Sequence, residues 1–130
     1  MTPKREVIAG PGVPKTIGPY SAGVRAGDFL YVSGQAGTDP ATGEPAGATI
    51  GEQARQAMRN VEAVLRAGGS RPQLVVNVTV LVADISEFAQ VNEAFAEAFP
   101  TDPPARMTMQ VPLPLGLMIS IGCVALVESP

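Results

Sequence analysis

Leu74-Val75-Val76-Asn77-Val78-Thr79-Val80-Leu81-Val82 decides the fold. The run is dense in β-branched residues, which fit a pleated, half-buried surface better than a helix. Segments with helical period lie on both sides of it, and further strand-like runs lie outside those. A strand between two helices, flanked by more strands, predicts an α+β fold.

Upstream, Thr49-Ile50-Gly51-Glu52 has the spacing of a capping box, with a hydroxyl at the cap and a carboxylate three residues on. Ala54, Ala57, Met58, Val61, Val64 and Leu65 then recur on one helical stripe, and Gly68-Gly69 ends the helix. Residues 36–48 form a turn-rich loop. Tyr20–Arg25 and Phe29–Gln35 are β-prone runs around Gly27-Asp28, a hairpin signal. Phe29–Ser33 is apolar on both faces, which places it centrally in a sheet. Residues 10–19 are too rich in Gly and Pro for a helix, and residues 5–9 are short enough for one strand.

Downstream, Asp84-Ile85-Ser86-Glu87 opens a second helix whose buried face is marked by Phe88, Val91, Phe95 and Phe99. Pro100 stops it, and Asp102-Pro103-Pro104 makes a rigid connector. Ala105–Val111 and Leu117–Val127 read as the last two strands. The sum is one domain over residues 1–130, with a single mixed sheet and two helices on one face. The other face is left apolar and uncovered.

Composition narrows the chemistry. The chain has no His and one Cys, with a net charge of −3. Histidine bases, Ser-His-Asp and Cys-His systems, histidine metal sites and zinc clusters are therefore excluded. A lone thiol without an apolar leader predicts a cytoplasmic protein, and no stretch approaches the ~20 apolar residues of a membrane span. Scattered basic residues on a net-negative chain argue against a nucleic-acid partner. Charged residues make up 16%, below the ~25% of average domains. Either part of the surface is buried between copies, or Gly, Pro, Ser and Thr cover it; both readings remain open.

A few side chains could carry a site. Arg106 follows the proline connector and reads either as a carboxylate fork or as a surface or ion-pair arginine. Asn92 shares a helix face with Phe88, Phe95 and Phe99, so its amide either ties the helix to a loop or lines a pocket. Ser33-Gly34-Gln35 marks a bulge, a turn or a close approach of a ligand. Tyr20 packs at an edge or offers its phenol. Ser120 and Gly122 face the same way on the last strand, while Cys123 points to the core. Glu93 and Glu97 at helical spacing read as a solvated face.

Several runs together resemble the Rid/YjgF family of reactive intermediate deaminases: Ile17-Gly18-Pro19-Tyr20-Ser21, Val32-Ser33-Gly34-Gln35, Thr38-Asp39-Pro40-Ala41-Thr42-Gly43-Glu44, Gln53-Ala54-Arg55-Gln56-Ala57, Asn60-Val61, Phe88-Ala89-Gln90-Val91-Asn92 and Pro103-Pro104-Ala105-Arg106. The resemblance implies a chorismate-mutase-like fold and a homotrimer with ligand sites in the clefts between subunits. It implies hydrolysis of 2-imino acids, in equilibrium with enamines such as 2-aminoacrylate, to 2-keto acids and ammonia, with no metal or organic cofactor. Arg106 would hold the substrate carboxylate, and Tyr20, Ser33, Gly34 and Asn92 match pocket positions.

The chain departs from the family pattern twice. Met107-Thr108 stands where better-known members have Ser-Cys, and Gly122 and Ser120 stand at two acidic positions, the first that of a water-activating Glu. Water activation would fall to Thr108, Ser120, Tyr20 or backbone carbonyls, and Gly122 would enlarge the pocket for a bulkier substrate. The alternatives are a trimer that binds 2-keto acids without turnover, or a role in a specialised biosynthetic pathway.

Overall fold

The computed structural model describes residues 3–128. β1 (Arg5–Ile8), β2 (Gly23–Ala26) and β3 (Phe29–Ala36) are followed by α1 (Ile50–Ala67), β4 (Val75–Val82), α2 (Phe88–Ala98), β5 (Ala105–Gln110) and β6 (Ile119–Leu126). All strands lie in one sheet, ordered β1-β2-β3-β6-β4-β5. Every pairing is antiparallel except β4 with β5, which are parallel and joined through α2. The expected α+β architecture is present, and β3 is an inner strand.

Local chemistry explains the element ends. The backbone N–H of Glu52 donates to the Thr49 hydroxyl at 3.1 Å, so the predicted cap forms. The Glu52 carboxylate accepts from that same hydroxyl at 2.9 Å. At the other end of α1, Gly69 takes φ +83°. The N–H of Ser70 then reaches Leu65 O at 2.8 Å and that of Gly69 reaches Arg66 O at 3.2 Å. These paired bonds satisfy carbonyls that the helix leaves open. Gly27, at φ +59°, turns the β2–β3 hairpin.

The core lies between the helices and one face of the sheet. The predicted α1 stripe is buried, and it meets Leu30 and Val32 of β3, Val78 and Val80 of β4, and Ile119, Ile121 and Ala125 of β6. Each such side chain contributes about 1.5–3 kcal/mol when fully withdrawn from water. On the opposite face Val7, Phe29, Tyr31, Met107, Met109 and Leu126 are exposed, so the expected uncovered apolar face is present. No helix among the described residues is long and apolar enough to cross a membrane.

Two expectations about α2 need correction. Asp84 caps a short 3-10 turn (Ile85–Glu87) before the α-helix begins. Val91, Ala94 and Phe95 form the buried stripe, whereas Phe88 is 37% exposed and Asn92 is exposed. The cause is tertiary: β5 is the outermost strand, and the flank of α2 bearing Phe88 and Asn92 overhangs it with no further strand beyond.

Candidate functional site

Arg106 is placed by the connector before it. Asp102 takes a left-handed φ of +46° ahead of Pro103-Pro104, and β5 begins at Ala105. Parallel pairing sets Arg106 beside Val78 and Thr108 beside Val80, so both side chains point to the helix-covered side. Arg106 is half-buried there. Its Nη2 donates to Asn92 Oδ1 at 2.9 Å. Its guanidinium carbon lies 4.7 Å from the Phe95 ring centroid and 5.3 Å from that of Phe88.

Among the described residues, the ion pairs are Arg55–Glu97, Arg66–Glu62 and Arg71–Glu128, and none involves Arg106. The ion-pair reading of Arg106 is therefore not what the structure shows, and its half-burial sets it apart from a freely solvated surface arginine. Instead the cation is stacked on aromatic faces and tethered by one amide, which leaves most of its five N–H donors to other acceptors. Asn92 thus meets a side chain of the site rather than a loop. Beside them, Thr108 Oγ1 is buried and has no hydrogen-bond partner among the described residues. A buried, unpaired hydroxyl is costly unless something else completes it.

A second group of residues lines a cleft of about 610 Å³ whose wall includes Tyr20, Gly34 and Ser120. The Tyr20 hydroxyl accepts from Ile17 N at 3.4 Å. Ser33 is spent structurally: its hydroxyl donates to Ser21 O at 2.6 Å and its N–H to Ala22 O at 2.9 Å, which fixes the segment that carries Tyr20. Ser33 and Gly34 form a bulge in β3, since the register passes from Val32 opposite Cys123 to Gln35 opposite Ile121. Gly122 alone faces those two residues.

This bulge overturns one expectation. A Cβ built on Gly122 would lie 3.1 Å from Val32 O and 3.3 Å from Gly34 N. Main chain already stands against the position a Cβ would take, so the missing Cβ opens no room there, and Gly122 does not line the cleft. At Gly34 a Cβ would meet Ser120 Oγ at 2.5 Å, so a side chain there would turn the Ser120 hydroxyl away from its present position.

Within one chain the expected site residues fall into two groups. Arg106, Asn92 and Thr108 lie on the β5–α2 side, and none of them lines the cleft that holds Tyr20, Gly34 and Ser120.

Two positioning residues carried no stated role in the sequence. Gln53 is buried, donates to Gly47 O at 3.1 Å and accepts from Met118 N at 3.2 Å. Asn60 is buried and donates to Ala36 O at 3.0 Å and to Thr38 O at 2.9 Å. Asn60 thus holds the cleft-wall residues Ala36 and Thr38 to α1, and Gln53 holds Gly47 and Met118. Polar residues on the otherwise apolar stripe of α1 were the signal that could have found them.

Other titratable groups behave as structure. Burial pushes the Cys123 thiol up to about 12, so it is protonated at neutral pH and a poor nucleophile. Glu97 accepts from Arg55 and is held below its ordinary carboxylate range by that bond, as an exposed surface pair. Among the described residues no three His, Cys, Asp or Glu side chains gather as a metal site.

The chain matches the family model described as endoribonuclease L-PSP over residues 12–127. It is 42% identical over 125 residues to a RutC family protein of Pyrococcus horikoshii, covering 95% of this chain and 99% of that one. It is 42% identical over 123 residues to the 2-iminobutanoate/2-iminopropanoate deaminase of Homo sapiens, covering 94% and 90%. The solved structure of E. coli TdcF with bound serine superposes at a TM-score of 0.87 with 32% identity, over 95% of this chain and 99% of that one. With the motifs, the fold and these matches in agreement, the chain belongs to the endoribonuclease L-PSP family, the Rid/YjgF proteins.

Proposed function

We propose that the protein hydrolyses 2-imino acids and their enamine tautomers to 2-keto acids and ammonia, in a cytoplasmic homotrimer. One observation carries the reading: Arg106 is half-buried, stacked on Phe95 and Phe88, held by Asn92, and has no carboxylate partner among the described residues. A guanidinium prepared in this way suits an organic carboxylate. The separation of the two groups within a chain supports a site shared between protomers, with the Arg106 edge of one closing on the Tyr20 cleft of its neighbour. The human relative's name, a 2-iminobutanoate/2-iminopropanoate deaminase, supports the substrate class.

The chemistry needs little machinery. With its carboxylate on Arg106, the protonated imine carbon is attacked by water, giving a carbinolamine. A proton passes from the added water to nitrogen, the C–N bond breaks as the hydroxyl oxygen forms the carbonyl, and the departing ammonia takes the hydroxyl proton, so that a keto acid and an ammonium ion leave. Holding imine and water together supplies the orientation contribution to the rate. Thr108, Tyr20 and Ser120 offer hydroxyls that orient the water, and none is a strong base at neutral pH. A positioned acid–base group is worth about 10²–10⁴-fold, so turnover without one is slow.

An amino acid oxidase that generates imino acids in situ, with ammonia release followed, tests this reading. The native protein should speed release, while Arg106→Ala should lower kcat/KM by about 10²-fold or more, the scale of a lost charge-assisted clamp. Asn92→Ala should lose less. Equal rates for native and Arg106→Ala protein would remove the assignment.

The second reading is a trimer that binds 2-keto acids without turnover, or that serves a specialised biosynthetic step. Ser120 and Gly122 at acidic family positions favour it. Calorimetric binding of pyruvate that depends on Arg106, with no acceleration of imine hydrolysis, would select it.

A further inference from the structure

Among the described residues Leu115 is the most exposed large apolar side chain, at 80%. It also adopts the left-handed conformation, with φ 59° and ψ 26°, and Gly116 follows at φ +69°. Both facts count against a leucine. The left-handed region is unfavourable for a residue with a branched side chain, and glycine or asparagine would fit it without strain. Eighty per cent exposure of the side chain leaves it little packing inside its own chain. A conformation that is disfavoured twice is a pointer to function when it sits at a site.

It does sit at one. Leu115 lines the cleft that contains Tyr20, Gly34 and Ser120, and so does Ile17, itself 72% exposed. The loop before β2 and the 3-10 turn before β6 thus each contribute one uncovered aliphatic residue to one cavity. Pro114 and the bond from Leu117 N to Pro114 O at 3.1 Å hold the turn that presents Leu115. Leu113 and Leu117 also line the cleft, but of its large aliphatic side chains these two are the ones left mostly in solvent and free to meet an aliphatic tail.

We propose that Leu115, together with Ile17, determines specificity by receiving the side chain of the substrate, and that the preferred substrates are 2-imino acids with branched or longer aliphatic side chains. The inference rests on the imine-hydrolase reading and deepens it. It restores a preference for bulkier substrates by a route independent of Gly122. The aliphatic tail lies against Ile17 and Leu115 while the carboxylate is held elsewhere.

The test compares two keto-acid products, pyruvate and 4-methyl-2-oxopentanoate, by calorimetry on the native protein, Leu115→Asn and Arg106→Ala. Asparagine keeps the left-handed backbone and removes the apolar surface. The native protein should bind the longer acid more tightly. Leu115→Asn should reduce that preference by about tenfold, the lower end of what one or two methylenes are worth in an apolar pocket. Arg106→Ala should weaken both acids together. The imine assay should show the same change in relative kcat/KM for the corresponding substrates.

A native protein that binds both acids without preference would overturn the assignment and leave the function intact. So would an Asn variant that keeps the preference, or one that loses both acids equally with a change in sedimentation mass, since Leu115 would then be a contact between copies. Binding of neither acid by native protein would overturn the functional reading, and this inference with it.

Discussion

Gly122 and the Ser33–Gly34 bulge are one unit. The residue without a side chain lets two residues of β3 crowd onto one of β6. Gly122→Glu therefore asks whether the missing carboxylate is what limits the chemistry. The substituent meets main chain at 3.1 Å, so the variant should lose about 1–3 kcal/mol of stability, the usual range for overpacking. It should gain about 10²-fold in kcat on 2-iminopropanoate, the lower end of a positioned acid–base contribution. Thermal melts and ammonia release read the two effects separately. Unchanged kcat in a folded variant would show that position 122 does not reach the reacting water. Arg106 teaches a complementary point. Its sequence supported a carboxylate fork and a surface ion pair alike, and only the positions of Phe95, Phe88 and Asn92 separate them.

Among the elements, α1 was the most legible and α2 the least. The cap, stripe and terminating glycines of α1 are all local signals, and each appears where the spacing placed it. Thr49→Ala should cost about 1 kcal/mol, the typical worth of an N-cap hydroxyl. A shift of the urea midpoint at unchanged slope would register it, whereas no shift would mean that Glu52 or water replaces the bond. Part of α2 was misread because its exposed flank depends on which strand is outermost, a fact absent from local spacing. The same limit hid the division of the site. Tyr20, Gly34 and Ser120 share a cleft without Arg106 because β4 stands between β6 and β5, and Arg106 faces the helices whereas Ser120 alternates with the buried Ile119 and Ile121; strand order is not encoded in any short window of sequence.

For the whole molecule, the uncovered sheet face is the main liability. Phe29, Tyr31, Met107, Met109 and Leu126 are too many apolar side chains to leave in water on so small a chain. Sedimentation of the native protein should give a trimer mass. Met107→Lys, at an exposed position on that face, should shift the distribution toward monomer by placing a charge where burial is required. A native monomer at micromolar concentration would remove the shared-site reading and leave the fold unaffected.

The strand order also governs how the chain is made. β6 is the last strand in sequence, yet it pairs with both β3 and β4 and joins the two halves of the sheet. During synthesis the hairpin half and the parallel half emerge as separate pieces with no backbone bonds between them. Neither can complete its ladder until β6 is in place, and contacts between distant parts of a chain are the slowest to form. The two halves therefore stay unjoined, with hydrophobic strands awaiting a partner, until β6 pairs with both, and that is the interval in which a chaperone would matter most.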